Sequence, residues 1–303
     1  SLEQRGGLYV VTWERMADLL AQMGEKDAET IDRESGFRIC RKEGIEAIIL
    51  GSFVKAGDVF ATDVKVLDVE TRKMLKSSSS RGEGPDSILR TQIDELSRDI
   101  SAGIGPARGK VEPEKAQVAE ATTSSMEAYK FFLIGREDLD KLSYVDAVKP
   151  LEKAVELDPE FALAYMYLAF AHMPLGNGQA CNKALEKAKA LSAKVTERER
   201  LYIEAMYAWI VERNPDARTR ITQELVQKYP EEKMAHYWLG VFCRGEGNYE
   251  SAIKEMNRAL ELDPDYGIAH NEIGYAYLYL RNFDKSVEHF QKYASMNPKD
   301  ANP

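Results

Sequence analysis

Cysteine and histidine are scarce in this chain, with 3 and 4 copies among 303 residues. Cys40, Cys181 and Cys243 are too few and too scattered for a disulfide framework, and they fit a reducing compartment or simple core packing. Long apolar runs are missing as well. The longest, Phe161 to Leu175, is interrupted by His172 and Pro174, and falls short of the roughly 20 apolar residues of a spanning helix. No basic-then-apolar leader opens the sequence. Positive charge is in deficit: 41 Lys and Arg against 50 Asp and Glu give a net charge of -9. That balance argues against general nucleic-acid binding, which rests on neutralising phosphates. Catalytic signatures are absent too. There is no HExxH, CxxC, P-loop or GxSxG, and Gly82-Glu-Gly84 lacks the spacing of a nucleotide loop.

What is present suffices for a globular fold: 44% hydrophobic and 30% charged residues, in a length that suggests about two domains. The first hundred residues mix strand and helix signals. Leu8 to Thr12 is a short β-rich run, and Thr12 can cap a helix whose apolar face is Met16, Leu19, Leu20 and Met23. A second helix is expected from Asp32 to Glu43, stopping at Gly44. Ala47 to Val54 reads as a strand, with a hairpin turn at Lys55 to Asp58 in which Gly57 supplies positive φ. The next strand alternates, its apolar face carried by Phe60, Val64 and Val66. A third strand runs through Leu75 and the serines 77–80, followed by a helix with Ile88, Leu89, Ile93, Leu96 and Ile100 on one face. These elements predict a small α+β domain over residues 1–103, an antiparallel meander with helices. Residues 104–124 are poor in large apolar side chains and read as a linker.

Beyond it strands give way to helices with a 34-residue period. Leu239-Gly240 recurs as Ile273-Gly274, Met256 as Phe290, Pro264 as Pro298, and Glu156-Leu-Asp-Pro159 as Glu261-Leu-Asp-Pro264. A small residue followed at fixed spacing by a large one lets paired helices approach while the large side chain fills the seam. The period and pattern resemble the tetratricopeptide repeat, a helix–turn–helix unit that buries its apolar face only by stacking. About five repeats are expected over 125–303, an all-α superhelix. The weakest is the third, around Tyr202, Trp209, Ala217, Ile221 and Pro230. The closing Asn297 to Pro303 looks like the opening of a further repeat, which suggests an array truncated at its end.

The resemblance implies where a partner docks. In tetratricopeptide repeats the concave groove is lined by four positions of each first helix. Among them here are Phe132 and Arg136; Met166, Phe170 and Met173; Tyr237, Val241 and Arg244; and Asn271 and Tyr275. Aromatic and Met side chains with a few Arg and Asn suit an apolar peptide or helix. Phe132 with Arg136 does not match the Lys and Asn clamp of chaperone-binding relatives. His236 and His270 occupy one repeat position on stacked helices, so a shared metal ion is not expected. Lys183, Lys187, Lys189, Lys194, Arg198 and Arg200 read as a solvated face interspersed with glutamates.

The first half also has a resemblance. Gly51-Ser52 in a strand before a hairpin, and Asp68-Val-Glu-Thr71 closing the next strand, are similar to TolB-amino-terminal and CsgG-like α/β domains. Such domains sit beside tetratricopeptide repeats in bacterial Ser/Thr kinases and adenylate cyclases, and usually begin with an extra strand and helix. The expectation is therefore a non-enzymatic scaffold binding a protein or peptide, without cofactor, catalytic residue or metal. The alternative is a regulatory, signalling segment of a larger bacterial kinase or cyclase. Homodimerisation through the edge of the sheet is a further expectation.

Overall fold

The computed structural model describes residues 16, 19–20, 22–24, 31–104, 123–140 and 143–296. The expected strand at Leu8 to Thr12, most of the 104–124 linker and the tail from Asn297 lie outside the described residues. The chain forms two compact units, Ser1–Val11 with Glu29–Ile203, and Thr12–Ala28 with Glu204–Pro303.

In the first unit, α1 (Arg33–Lys42) starts at Asp32, whose carboxylate accepts from the Ser35 N–H at 2.7 Å. Three antiparallel strands follow in sequence order, β1 (Ala47–Ala56), β2 (Val59–Asp68) and β3 (Met74–Glu83). The β1–β2 turn needs only Gly57 and Asp58, and Gly57 sits at φ +61°, as the first central position of a type II′ turn requires. Strand alternation sends side chains to two faces. On one, Ile48, Leu67 and Val69 pack on Phe37 and Cys40. On the other, Val64 and Val66 meet Leu96 and Ile100 of α2 (Ile93–Ile104). A π-helical turn over Ile88–Gln92 precedes α2 and buries Gln92, whose carboxamide donates to the Phe60 carbonyl and to Ser87 Oγ.

The serine run is therefore strand throughout. Ser78 Oγ donates to Asp99 at 2.6 Å and Ser80 Oγ to Glu95, so hydroxyls and carboxylates pair where β3 faces α2. These bonds satisfy polar groups at a partly buried contact that an apolar seam would otherwise fill.

Among the described residues ten further helices follow, α3 (Met126–Asp140), α4 (Tyr144–Leu157), α5 (Ala162–His172), α6 (Gly178–Leu191), α7 (Glu197–Ile210), α8 (Pro215–Lys228), α9 (Lys233–Gly245), α10 (Tyr249–Leu262), α11 (Gly267–Tyr279) and α12 (Phe283–Met296). Of these, α3 packs with α4, α5 with α6, α9 with α10 and α11 with α12. Their seams follow the small-to-large spacing. A Cβ on Gly135 would lie 2.5 Å from Leu151 Cγ, and one on Gly240 would lie 2.7 Å from Met256 Cε. Ala169 and Leu185 fill the same relation in the second pair, both fully buried. The recurring Glu-Leu-Asp-Pro phrase also has a mechanism. Asp158 and Asp263 end α4 and α10, and their Oδ1 atoms accept from the Glu160 and Asp265 N–H groups, each at 3.0 Å. The aspartate closes a turn that the following proline keeps from continuing as helix.

Turns within the pairs repeat as well. Gly176, Arg213, Gly247 and Arg281 all have positive φ, between 53° and 81°. Each is followed by an asparagine, and Asn214, Asn248 and Asn282 accept from the N–H three residues on at 3.0–3.3 Å. A left-handed residue reverses the chain and the asparagine caps the second helix.

The helical face at Met16, Leu19, Leu20 and Met23 belongs to the second unit. Leu19 and Leu20 are buried, and Gln22 Nε2 donates at 2.9 Å to the Leu262 carbonyl at the open end of α10.

Candidate functional site

In the first unit, α3, α5 and the α5 C-cap Met173 hold five of the expected groove residues. Phe132 is buried, its ring 4.9 Å from Phe161 and 5.3 Å edge-on to Tyr167, with the Arg136 guanidinium 6.0 Å above it. Met166 is buried as well, while Phe170 and Met173 are half-buried. Phe170 stands 5.9 Å from Tyr167, so the aromatic row runs from the seam of the pairs out to a solvent-facing edge. Phe132 and Met166 act mainly in packing, and Arg136, Phe170 and Met173 present the accessible surface.

In the second unit, α9 and α11 hold the other five. Tyr237 is buried between Trp238 and Tyr266, with ring centroids 5.2 and 5.5 Å away. Val241 packs on the cluster of Met256 and Ile273. Arg244 Nε donates to Glu272 Oε2 at 2.6 Å, and its guanidinium lies 5.7 Å from the Tyr275 ring, which meets Phe290 at 5.1 Å. Glu272 orients Arg244 over Tyr275, a role that no local sequence signal marks. Asn271 is only 7% exposed, and its Oδ1 has no hydrogen-bond partner among the described residues. A buried acceptor without a donor is costly.

The histidines do not converge across repeats. His236 and His270 each pair within their own repeat, with the residue 19 positions later. His236 Nδ1 faces Glu255 Oε2 at 2.7 Å and its Nε2 faces the Pro230 carbonyl at 3.0 Å. His270 Nδ1 lies 3.0 Å from His289 Nδ1. One of those nitrogens donates and the other accepts, so at least one ring is neutral. Burial, then the neighbouring His289 and Lys292, push the His270 pKa down to about 4. Burial and Lys292 lower His289 in the same direction. Among the described residues, no group of three or more His, Cys, Asp or Glu could hold a metal ion. Nor is any described helix long and apolar enough to cross a membrane.

All three cysteines are buried and unpaired, and burial raises each thiol pKa. Within the lysine-rich stretch, Lys194 pairs with Glu160 at 2.7 Å and Arg200 lies 3.9 Å from Glu197, both exposed.

Residues 204–267 and 244–302 match the family model of the tetratricopeptide repeat. Among solved structures, the chain is similar to a MamA protein at 22% identity, over 58% of this chain and 94% of that one, with a TM-score of 0.34. It is also similar to MamA from Desulfovibrio magneticus RS-1, at 18% identity, over 59% and 99%, with a TM-score of 0.37. YrrB, described as a TPR protein with an unusual peptide-binding site, matches at 22% identity, over 57% and 87%, with a TM-score of 0.35. No curated protein matches the sequence significantly. Residues 204–302 thus match the tetratricopeptide repeat, and helices in a tetratricopeptide-like arrangement follow a small three-stranded antiparallel sheet in the sequence.

Proposed function

We propose that the protein is a non-enzymatic interaction scaffold whose repeats bind a protein or peptide segment. The observation that carries this reading is the match of residues 204–302 to the tetratricopeptide repeat, on which Val241, Arg244 and Tyr275 are only half-buried. Tyr275 and Val241 offer apolar contact and the Arg244–Glu272 pair a polar rim. In the first unit, Phe170, Met173 and Arg136 offer a second apolar surface of the same kind. The division into an α+β domain over 1–103, a linker over 104–124 and a repeat array over 125–303 belongs to this reading.

Peptides selected from a displayed random library on the full chain test it. They should lose roughly tenfold or more in affinity to Tyr275→Ala and Arg244→Ala. Selected peptides that bind both variants as tightly as the parent would remove the groove assignment. The narrower reading, a regulatory segment of a bacterial Ser/Thr kinase or adenylate cyclase, rests on the TolB- and CsgG-like residues Gly51-Ser52 and Asp68 to Thr71 alone. Dimerisation through the sheet edge is part of the proposed scaffold.

A further inference from the structure

β1 is an edge strand with an unusual face. Among the described residues it pairs only with β2, so along its other side alternate N–H and C=O groups point away from the sheet. Natural edges are commonly guarded by a charge, and β1 has a single one, Lys55. That lysine leans toward β2, its Nζ 5.4 Å from the ring of its cross-strand partner Phe60. The outer half of the strand is instead apolar and exposed: Ile49 is 42%, Phe53 69% and Val54 59% accessible.

We propose that β1 pairs antiparallel with β1 of a second copy of this chain, in the register centred on Gly51. This rests on the sheet-edge dimer proposed above and gives it an interface. In a two-fold pair of identical antiparallel strands, opposed residues share a face of the sheet. Ile49 and Phe53 share one, being paired with Val66 and Thr62 of β2. Centring on Gly51 sets Ile49 opposite Phe53 of the second copy, and Phe53 opposite its Ile49. These are two aliphatic–aromatic pairs of the kind that stabilise cross-strand contacts. On the opposite face, Ile48 meets Val54 of the second copy. Centring on Ser52 would set Ile49 against Lys55, and centring on Leu50 would set Phe53 against Ala47. Only the Gly51 register joins the two exposed side chains to each other. It also brings no like charges together, because Lys55 falls opposite Ala47. The result is one continuous six-stranded sheet that covers the β1 edge of both copies and leaves β3 at each end.

The test uses the full chain in sedimentation velocity over a concentration series. The parent should dimerise, and Ile49→Lys or Phe53→Glu should each weaken dimerisation roughly tenfold or more. Combining Ile49→Lys with Phe53→Glu should restore it, because Lys and Glu then face each other twice; Ile49→Glu with Phe53→Glu should not. A second variant is independent of that balance. Gly51→Cys places a thiol where a Cβ meets nothing within 4 Å, and the native cysteines are all buried. It should oxidise to a covalent dimer through the dyad, and Ser52→Cys should not. A parent that dimerises while ignoring the charge variants and failing to crosslink at Gly51 overturns this register and leaves the dimer on another surface. A parent that stays monomeric throughout overturns both.

Discussion

A Cβ built on Gly274 would lie 2.6 Å from Cε1 of Phe290, closer than real Cβ contacts come. The glycine is thus the space into which the aromatic ring of the paired helix fits. The same relation joins Gly135 to Leu151 and Gly240 to Met256, but the neighbours differ in how far they can yield. At Gly240 the nearest atom, Met256 Cε, is the end of a flexible chain. At Gly135 it is the branched Leu151 Cγ, with the Ala147 carbonyl 3.2 Å away. Alanine also gains about 1 kcal/mol of helix propensity over glycine. Gly240→Ala should therefore change stability by less than about 1 kcal/mol, while Gly135→Ala and Gly274→Ala lose about 1–3 kcal/mol. Urea unfolding of the three variants checks the order.

The left-handed turn residues offer a stabilising change. Arg281 holds φ +58° at a position where the preceding repeat has Gly247. Removing the Cβ relieves the left-handed conformation, which costs a non-glycine residue roughly 1 kcal/mol, and it offsets the extra flexibility glycine brings to the unfolded chain. Arg281→Gly should be neutral to stabilising by up to about 1 kcal/mol, whereas Gly247→Arg should destabilise by a similar amount. Thermal unfolding distinguishes the two directions.

The His270–His289 pair predicts a pH dependence. Both pKa values are lowered in the folded chain, so the unfolded chain binds more protons at acidic pH. The stabilisation is complete above the ordinary histidine value of 6.5 and drains away as pH falls toward about 4. Glu288 acts against this trend and Lys292 with it. His289→Glu recreates the His–Glu pair that the preceding repeat makes between His236 and Glu255. It should flatten or reverse the fall in melting temperature between pH 7 and pH 5. A parent and variant with parallel pH profiles would contradict this assignment.

Asn271 carries a buried oxygen with no hydrogen-bond partner among the described residues. Replacing it with leucine, of similar size, removes a buried acceptor that lacks a donor. Asn271→Leu should leave the protein as stable or more stable by up to about 1–2 kcal/mol, read by urea unfolding. A loss of stability would show that the carboxamide serves the fold.

Much of the fold was readable from local chemistry. The 34-residue recurrence of Gly240 and Gly274, with Met256 and Phe290 after each, follows from helix periodicity and close packing, and the structure places those pairs in contact. Gly57, the alternation of β2 and the apolar stripe of α2 were legible for the same reason: backbone sterics and period act over a few residues. The turns after Arg213 and Arg281 were written in the sequence too, by their spacing from Gly247, but arginine does not announce a left-handed conformation. The groove positions followed from the repeat register. Register alone says nothing about accessibility, and Phe132, Met166 and Tyr237 prove largely committed to packing.

The sequence by itself determined the order of elements, the repeat length and the small-to-large seams, because each depends on residues within one or two helical turns. Only the tertiary structure decided that His270 meets His289, that Glu272 holds Arg244 over Tyr275, and that Gln22 reaches Leu262 across 240 positions. Those contacts depend on where stacked helices bring side chains in space. No local propensity encodes them, since the energy that selects them arises only after the helices have packed.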